Sequence, residues 1–277
     1  MGRTVEGGRD VRYLFIDGGY LRSQLIKISA VYFGGKALFK HIAFEHILSH
    51  FRYHKCFYYD CLPGRNPNEK PDDYEMRCCE MQNEFDWLSE FRGVHVSTGV
   101  VVGEGKKQRQ KQVDVQIAVD MLSHSHRRNM TYATLLAGDQ DFKPLIRALV
   151  FDGIFVELWC AKKNTSKELI LAADAKFDFD IRNLIGMLTH EFMSVNKLPD
   201  EKDGFQENRN IQPLKRGQTV TGKEVFLYEN NTGTALEYEL VVNLVGNRQR
   251  KFVFHDIAIL ETYYKECTEE FSWSNGT

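Results

Sequence analysis

Apolar residues along the first two thirds of the chain fall in short, nearly continuous runs. VRYLFID (11–17), HKCFYYD (54–60), GVHVSTGVVVG (93–103), TYATLLAGD (131–139) and IFVELWC (154–160) have this form. Short apolar runs rich in β-branched and aromatic residues read as strands buried on both faces. Between them the apolar positions change to helical spacing. Candidate helices cover about 21–29, 37–51, 72–91, 113–125, 142–153, 166–174 and 181–194. In the helix at 72–91, Met76, Cys79, Met81, Phe85, Leu88 and Phe91 keep this spacing. Gly153 closes the helix at 142–153. The three prolines of CLPGRNPNEKPDD (61–73) break regular structure. Strand alternating with helix predicts right-handed βαβ units, a parallel sheet and helices on both of its faces.

The pattern changes after Val195. Residues 196–218 are polar and lack any apolar period, so 196–214 is read as a linker. Period-two alternation then returns in ALEYELVVNLV (235–245), where Leu236, Tyr238, Leu240, Val242 and Leu244 share one face. KFVFHDIAIL (251–260) reads as a further strand. The expected organisation is an α/β domain at 1–195, a linker at 196–214 and a small β-rich module at 215–277. A module of roughly 60 residues has a marginal core of its own. It is expected to pack on the first domain or on a second copy of the chain, as a homo-oligomer.

Composition narrows the class. The chain has 277 residues, 43% of them hydrophobic and 27% charged, enough for a folded core. No apolar stretch reaches the roughly 18 residues of a membrane span. The leading MGRTVEGGRDVR lacks the apolar centre of a signal peptide. The six cysteines form no CxxC pair, which argues against a zinc ribbon and fits reduced thiols in a cytoplasmic protein. A net charge of -2 argues against a globally basic nucleic-acid binder and leaves room for a local basic patch. The chain has no P-loop, no GxGxxG turn and no GxSxG elbow.

Acidic residues carry the candidate chemistry. Asp17, Asp60 and Asp139 end predicted strands, Asp141 follows two residues after Asp139, and Asp114 stands in the first turn of a helix. Ligands of open α/β sheets bind at the carboxyl ends of the strands. Each aspartate taken alone also suits a capping role. Crowded together, such carboxylates repel one another unless a hard divalent cation, Mg²⁺ or Mn²⁺, joins them. Phosphodiester hydrolysis is the chemistry that uses this arrangement. Lys106, Lys107, Arg109 and Lys111 immediately precede the helix of Asp114, and Lys143 follows Asp141. These cations are candidate phosphate contacts; a solvated loop is the plain alternative for 106–111. Asp120 is about 240° around the helix from Asp114, so it reads as structural. Asp174 reads as a cap, and His124 and His126 as a polar helix end.

FIDGGYL (15–21), KQVDVQIAVDM (111–121), LLAGDQDFKPLI (135–146) and SKELILAADAKFD (166–178) resemble the NYN-domain, LabA-like branch of the PIN-like nuclease superfamily. The resemblance runs over roughly residues 11–190. It implies a PIN-like α/β domain with an acidic metal site that cleaves RNA. Asp17, Asp114, Asp139 and Asp141 match the acidic motif positions, and Asp60 matches a more variable strand-end acid. Tyr20 stands where such proteins commonly carry Asn, and Gln112 where Gly is usual. The hydroxyl or ring of Tyr20 is a candidate RNA contact. The expected function is a metal-dependent endoribonuclease. The alternative is an RNA-binding or scaffold protein that keeps the fold with little catalysis, and the altered position of Tyr20 speaks for it.

Overall fold

A computed structural model describes residues 10–102, 109–111, 113–207, 211–231 and 236–274. The chain divides into two compact units. One contains the chain up to Lys27, Ala37–Phe179 and Met187–Thr189; the other contains Ile28–Lys36, Asp180–Gly186 and the chain from His190.

In the first unit the apolar runs become strands. In chain order the elements are β1 (Arg12–Asp17), α1 (Gly18–Tyr32), α2 (Phe44–His50), β2 (Lys55–Cys61), α3 (Pro71–Ser89) and β3 (Val94–Val102). They continue with β4 (Arg109–Lys111), α4 (Val113–His126), β5 (Tyr132–Leu136), α5 (Lys143–Phe151), β6 (Phe155–Cys160), α6 (Lys167–Ile170) and β7 (Ala175–Asp178). The sheet runs β4-β3-β2-β1-β5-β6-β7. Every pairing is parallel except that of β4 with β3. The central strands are buried because helices cover both faces: Leu14, Phe15 and Ile16 of β1 are at most 2% exposed. On one face Phe15 and Tyr59 join Val113, Ile117 and Met121 of α4 and Leu145, Ile146 and Leu149 of α5 in one core.

Local signals set the helix ends. Pro71 opens α3, where a missing N–H costs nothing, with Asp72 and Asp73 in the first turn. Gly153 leaves α5 with φ +83°, the left-handed region that glycine tolerates. The stretch 181–194, expected as one helix, is two: α7 (Ile181–Ile185) and α8 (His190–Val195). Asp180 starts α7 by accepting the Asn183 N–H, and Gly186 caps its end.

The second unit holds an antiparallel sheet of β8 (Asp200–Phe205), β9 (Lys215–Thr219), β10 (Glu224–Asn231), β11 (Leu236–Leu244), β12 (Arg248–Phe254) and β13 (Phe271–Trp273), with α9 (Ile257–Cys267). The strand order is β13-β9-β10-β11-β12-β8. Two expectations change here. First, the polar stretch 196–214 contains β8, which pairs with β12 at the edge of the sheet. Its side chains are almost all exposed, so it is held by its backbone and shows no apolar period. Second, the strand expected over 251–260 ends at Phe254, and α9 begins at Ile257. Asp256 turns the chain by accepting the Ile259 N–H at 3.0 Å. Leu240, Val242 and Phe252 are fully buried in the sheet, and Leu260 and Tyr264 are equally buried on α9. The Tyr264 ring meets Phe252 edge-on at 5.3 Å. Part of the apolar face of β11 is thus covered by a helix of the same unit.

Candidate active site at the strand ends

The strand order reverses between β1 and β5. From β1 the chain moves outward through β2 and β3, whereas β5, β6 and β7 add on the other side. Such a switch point opens a crevice beyond the carboxyl ends of the two central strands. Asp17 ends β1, and Asp139 lies just past the end of β5.

Both carboxylates are held by backbone N–H groups. Asp17 Oδ1 accepts the Tyr20 N–H at 3.0 Å, which fixes it as it enters α1. Asp139 Oδ1 accepts the Asp141 N–H at 2.9 Å, and this turn sets Asp141 beside it. Asp114 occupies the first turn of α4, where the helix dipole favours a negative group. Burial pushes the Asp17 carboxyl up to about 6 against the lowering effect of the Tyr20 N–H, and the charges of Asp114, Asp60 and Asp139 add to the rise. Burial also raises Asp114, followed by the charges of Asp139 and Asp141. Asp17, Asp114, Asp139 and Asp141 therefore share one electrostatic neighbourhood.

Asp60 has a different position. It is buried, and Oδ2 accepts both Arg22 Nε and Tyr58 Oη at 2.8 Å. Oδ1 accepts the Cys61 N–H at 2.8 Å. Arg22 also donates from Nη1 to Glu84 at 2.6 Å, and its guanidinium lies 4.0 Å from the centre of the Phe39 ring. The candidate additional acid Asp60 thus sits in a buried ion pair. Sequence reading missed Arg22 and Glu84, because no local pattern links α1 and α3 to the end of β2. Gly18 makes room for this pair: a Cβ there would stand 2.6 Å from Asp60 Oδ2.

Tyr20 spans the switch point. Its Oη accepts the Ala161 N–H at 2.8 Å, just past the end of β6. Its ring lies against Gly138, where an added Cβ would stand 2.3 Å from Cε2. Ring and hydroxyl of Tyr20, a candidate RNA contact, join three strand ends. Lys143, a candidate phosphate contact, forms an ion pair with Glu168 of α6. Lys106 and Lys107 lie outside the described residues. The charged connection contains β4, which places Arg109 opposite Val102 and Lys111 opposite Val100.

The remaining polar residues have structural partners. Asp120 accepts Tyr59 Oη and Gln116 Nε2, both at 2.9 Å. Asp174 accepts the Val156 N–H at 2.8 Å. His124, expected at a polar helix end, packs against Phe57 at 4.9 Å and Tyr13 at 5.2 Å, and burial lowers its pKa.

The four acids offer only hard oxygen donors, the kind that Mg²⁺ and Mn²⁺ prefer. Arg22 is engaged by Asp60 and Glu84. Among the described residues no three His, Cys, Asp or Glu side chains form a ready-made metal cage. Mg²⁺ commonly keeps several of its waters and is held by only one or two carboxylates.

Residues 64–181 match the NYN domain family. The NYN match includes Asp114, Asp139 and Asp141. Asp17 lies outside it and reaches the same strand ends through the pairing of β1 with β5. NYN domains belong to the PIN-like nuclease superfamily, whose α/β fold agrees with the parallel sheet described above. Comparison with curated proteins gave no match. Among solved structures the chain is similar to a protein of unknown function from Vibrio parahaemolyticus, with 13% identity and a TM-score of 0.43, over 65% of this chain and 96% of that one. No helix among the described residues is long and apolar enough to cross a membrane.

Proposed function

We propose that the chain is a metal-dependent endoribonuclease whose site is formed by Asp17, Asp114, Asp139 and Asp141. The carrying observation is their electrostatic convergence at the switch point, with Asp17 raised by burial and by two of the other three. The NYN match supports the nuclease class. A bound Mg²⁺ or Mn²⁺ would supply water activation and neutralise charge on the phosphate. The four aspartates would hold it. The Tyr20 N–H keeps Asp17 oriented toward α1, and the Asp139–Asp141 turn presents two carboxylates from one short loop. The LabA-like branch, RNA as the substrate and a cytoplasmic location are parts of the same proposal.

A second reading, RNA binding without cleavage, is favoured by Tyr20, which stands where the family it resembles commonly carries Asn. Incubating labelled RNA with the protein in Mg²⁺, in Mn²⁺ and in chelator separates the two. Internal cleavage in either metal and none in chelator supports the nuclease; intact RNA in all three leaves the binding module.

A further inference from the structure

Tyr20 stands in the first turn of α1, just past Asp17. Its backbone N–H holds the Asp17 carboxylate, and its side chain crosses the end of β5 to the end of β6. The register shows what this span joins. Ile16 of β1 lies opposite Leu136 of β5, and Leu136 lies opposite Trp159 of β6. Asp17, Gly138 and Ala161 thus follow closely on one row across three neighbouring strands.

Two features set Tyr20 apart from an aromatic residue that only fills a core. The Ala161 N–H lies just past the last rung of β6 and finds its acceptor in Tyr20 Oη at 2.8 Å. The Ala161 carbonyl accepts Thr165 Oγ1 at 3.0 Å and the Asn164 N–H at 3.1 Å, so this far anchor is itself held. Residue 138, in turn, has no side chain. A Cβ there would stand 2.3 Å from Cε2 and 2.8 Å from Cζ of Tyr20. The ring therefore lies directly on the backbone that leads into Asp139, an approach that only glycine allows.

Asp17 and the Asp139–Asp141 turn are carried by different strands. No side-chain hydrogen bond joins one to the other among the described residues. Tyr20 touches both carriers and ties them to a third strand. Mg²⁺ demands near-ideal octahedral geometry at short distances, whereas Ca²⁺ accepts more oxygens in a looser, longer arrangement. A fixed carboxylate spacing suits the stricter ion.

We propose that Tyr20 is a positioning residue, a strut that fixes the spacing between Asp17 and the Asp139–Asp141 turn and so biases the site toward Mg²⁺ and against Ca²⁺. In this role its side chain touches neither the ion nor RNA. The inference rests on the metal site of the proposed function and names what gives that site its ion preference.

The test is Mn²⁺ binding to the full chain by electron paramagnetic resonance, without RNA, with Mg²⁺ and Ca²⁺ as competitors. Wild type is compared with Y20L, Y20F, G138A and L149A, and melting in chelator ranks their stabilities. Leu149 is fully buried on α5 and has no part in the contacts of Tyr20, so L149A supplies a loss of stability alone. Y20L is expected to bind Mn²⁺ about tenfold to a hundredfold more weakly, the scale of removing a partner that orients metal ligands. Mg²⁺ should weaken as a competitor more than Ca²⁺ does. Y20F keeps the ring on Gly138 and should fall between Y20L and wild type. L149A should melt earlier and bind Mn²⁺ as wild type does. If Y20L does not fold, the milder Y20F and G138A carry the test, and each should weaken Mg²⁺ more than Ca²⁺. Wild-type affinity and ion preference in the folded Tyr20 variants, or an equal loss in L149A, overturns the strut and leaves the metal site standing. No Mn²⁺ binding by wild type sinks the metal site and the strut with it. The expected pattern in a protein that leaves RNA uncut in Mn²⁺ sinks the nuclease reading and keeps the strut.

Discussion

Arg22 donates from Nε to the Asp60 carboxylate at 2.8 Å, beneath the first turn of α1. Asp60 is 1% exposed, so its charge is compensated inside the protein and not by solvent. The same residue raises Asp17 through space. This ion pair sets Asp60 apart from the four acids proposed to form the site.

Replacing Arg22 by Met strands the Asp60 charge. Removing one partner of a buried pair costs about 3–5 kcal/mol. Urea unfolding should show a loss of that order for R22M, and R22M/D60N should recover a large part of it. A loss under about 1 kcal/mol for R22M would mean that the pair is held as weakly as a surface bridge.

Gly138→Ala tests the contact with Tyr20. The added methyl would stand 2.3 Å from Cε2, so the ring must move and the bond from Ala161 must lengthen. Overpacking of this kind costs about 1–3 kcal/mol. The penalty should shrink in the Y20A background, because the clash has gone. Equal penalties in both backgrounds would place the strain elsewhere.

Asp17→Asn tests the electrostatic account without measuring catalysis. The folded carboxyl is raised from its ordinary 3.8 to about 6. Between those values the folded protein binds the extra proton, so stability falls as pH rises through that window. Asparagine keeps an acceptor for the Tyr20 N–H and carries no charge. In chelator, D17N should be more stable than wild type at pH 7.5, by roughly 1–3 kcal/mol. The advantage should fade by pH 4. A constant difference across this range would contradict the raised carboxyl.

Much of the fold could be read from sequence because buried parallel strands announce themselves as apolar runs. VRYLFID became β1, and TYATLLAGD became β5 with its acid beyond the end. The positions of the four candidate acids were legible for the same reason, since each stands at a strand end or a helix start. What escaped was long-range or set by backbone alone. Arg22 finds Asp60 across 38 residues. Tyr20 finds Ala161 across 141. β8 is an edge strand whose exposed side chains follow no period. The helix α9 was hidden because its apolar start, IAIL, continues the run of β12 and only Asp256 marks the break.

Removing residues 215–277 should uncover apolar surface within the second unit. Tyr32 meets Tyr263 edge-on at 6.2 Å, and its hydroxyl donates to Glu266 at 2.6 Å. Both partners are lost on truncation, and Tyr32 is left as an unpartnered aromatic. Light scattering should show self-association or reduced solubility of the truncated chain. A truncated protein with unchanged mass and solubility would contradict this.

The most direct measurement is RNA cleavage by D139N compared with wild type, in Mn²⁺, with circular dichroism confirming the fold of both. Asparagine at this position still accepts the Asp141 N–H, so the turn is retained while one carboxylate is lost. The account predicts metal-dependent cleavage by wild type and a loss of about a hundredfold or more in the folded variant, the scale of removing a group that stabilises charge in the transition state. A folded D139N that cuts RNA at the wild-type rate would contradict the assignment of the acidic crevice as the active site.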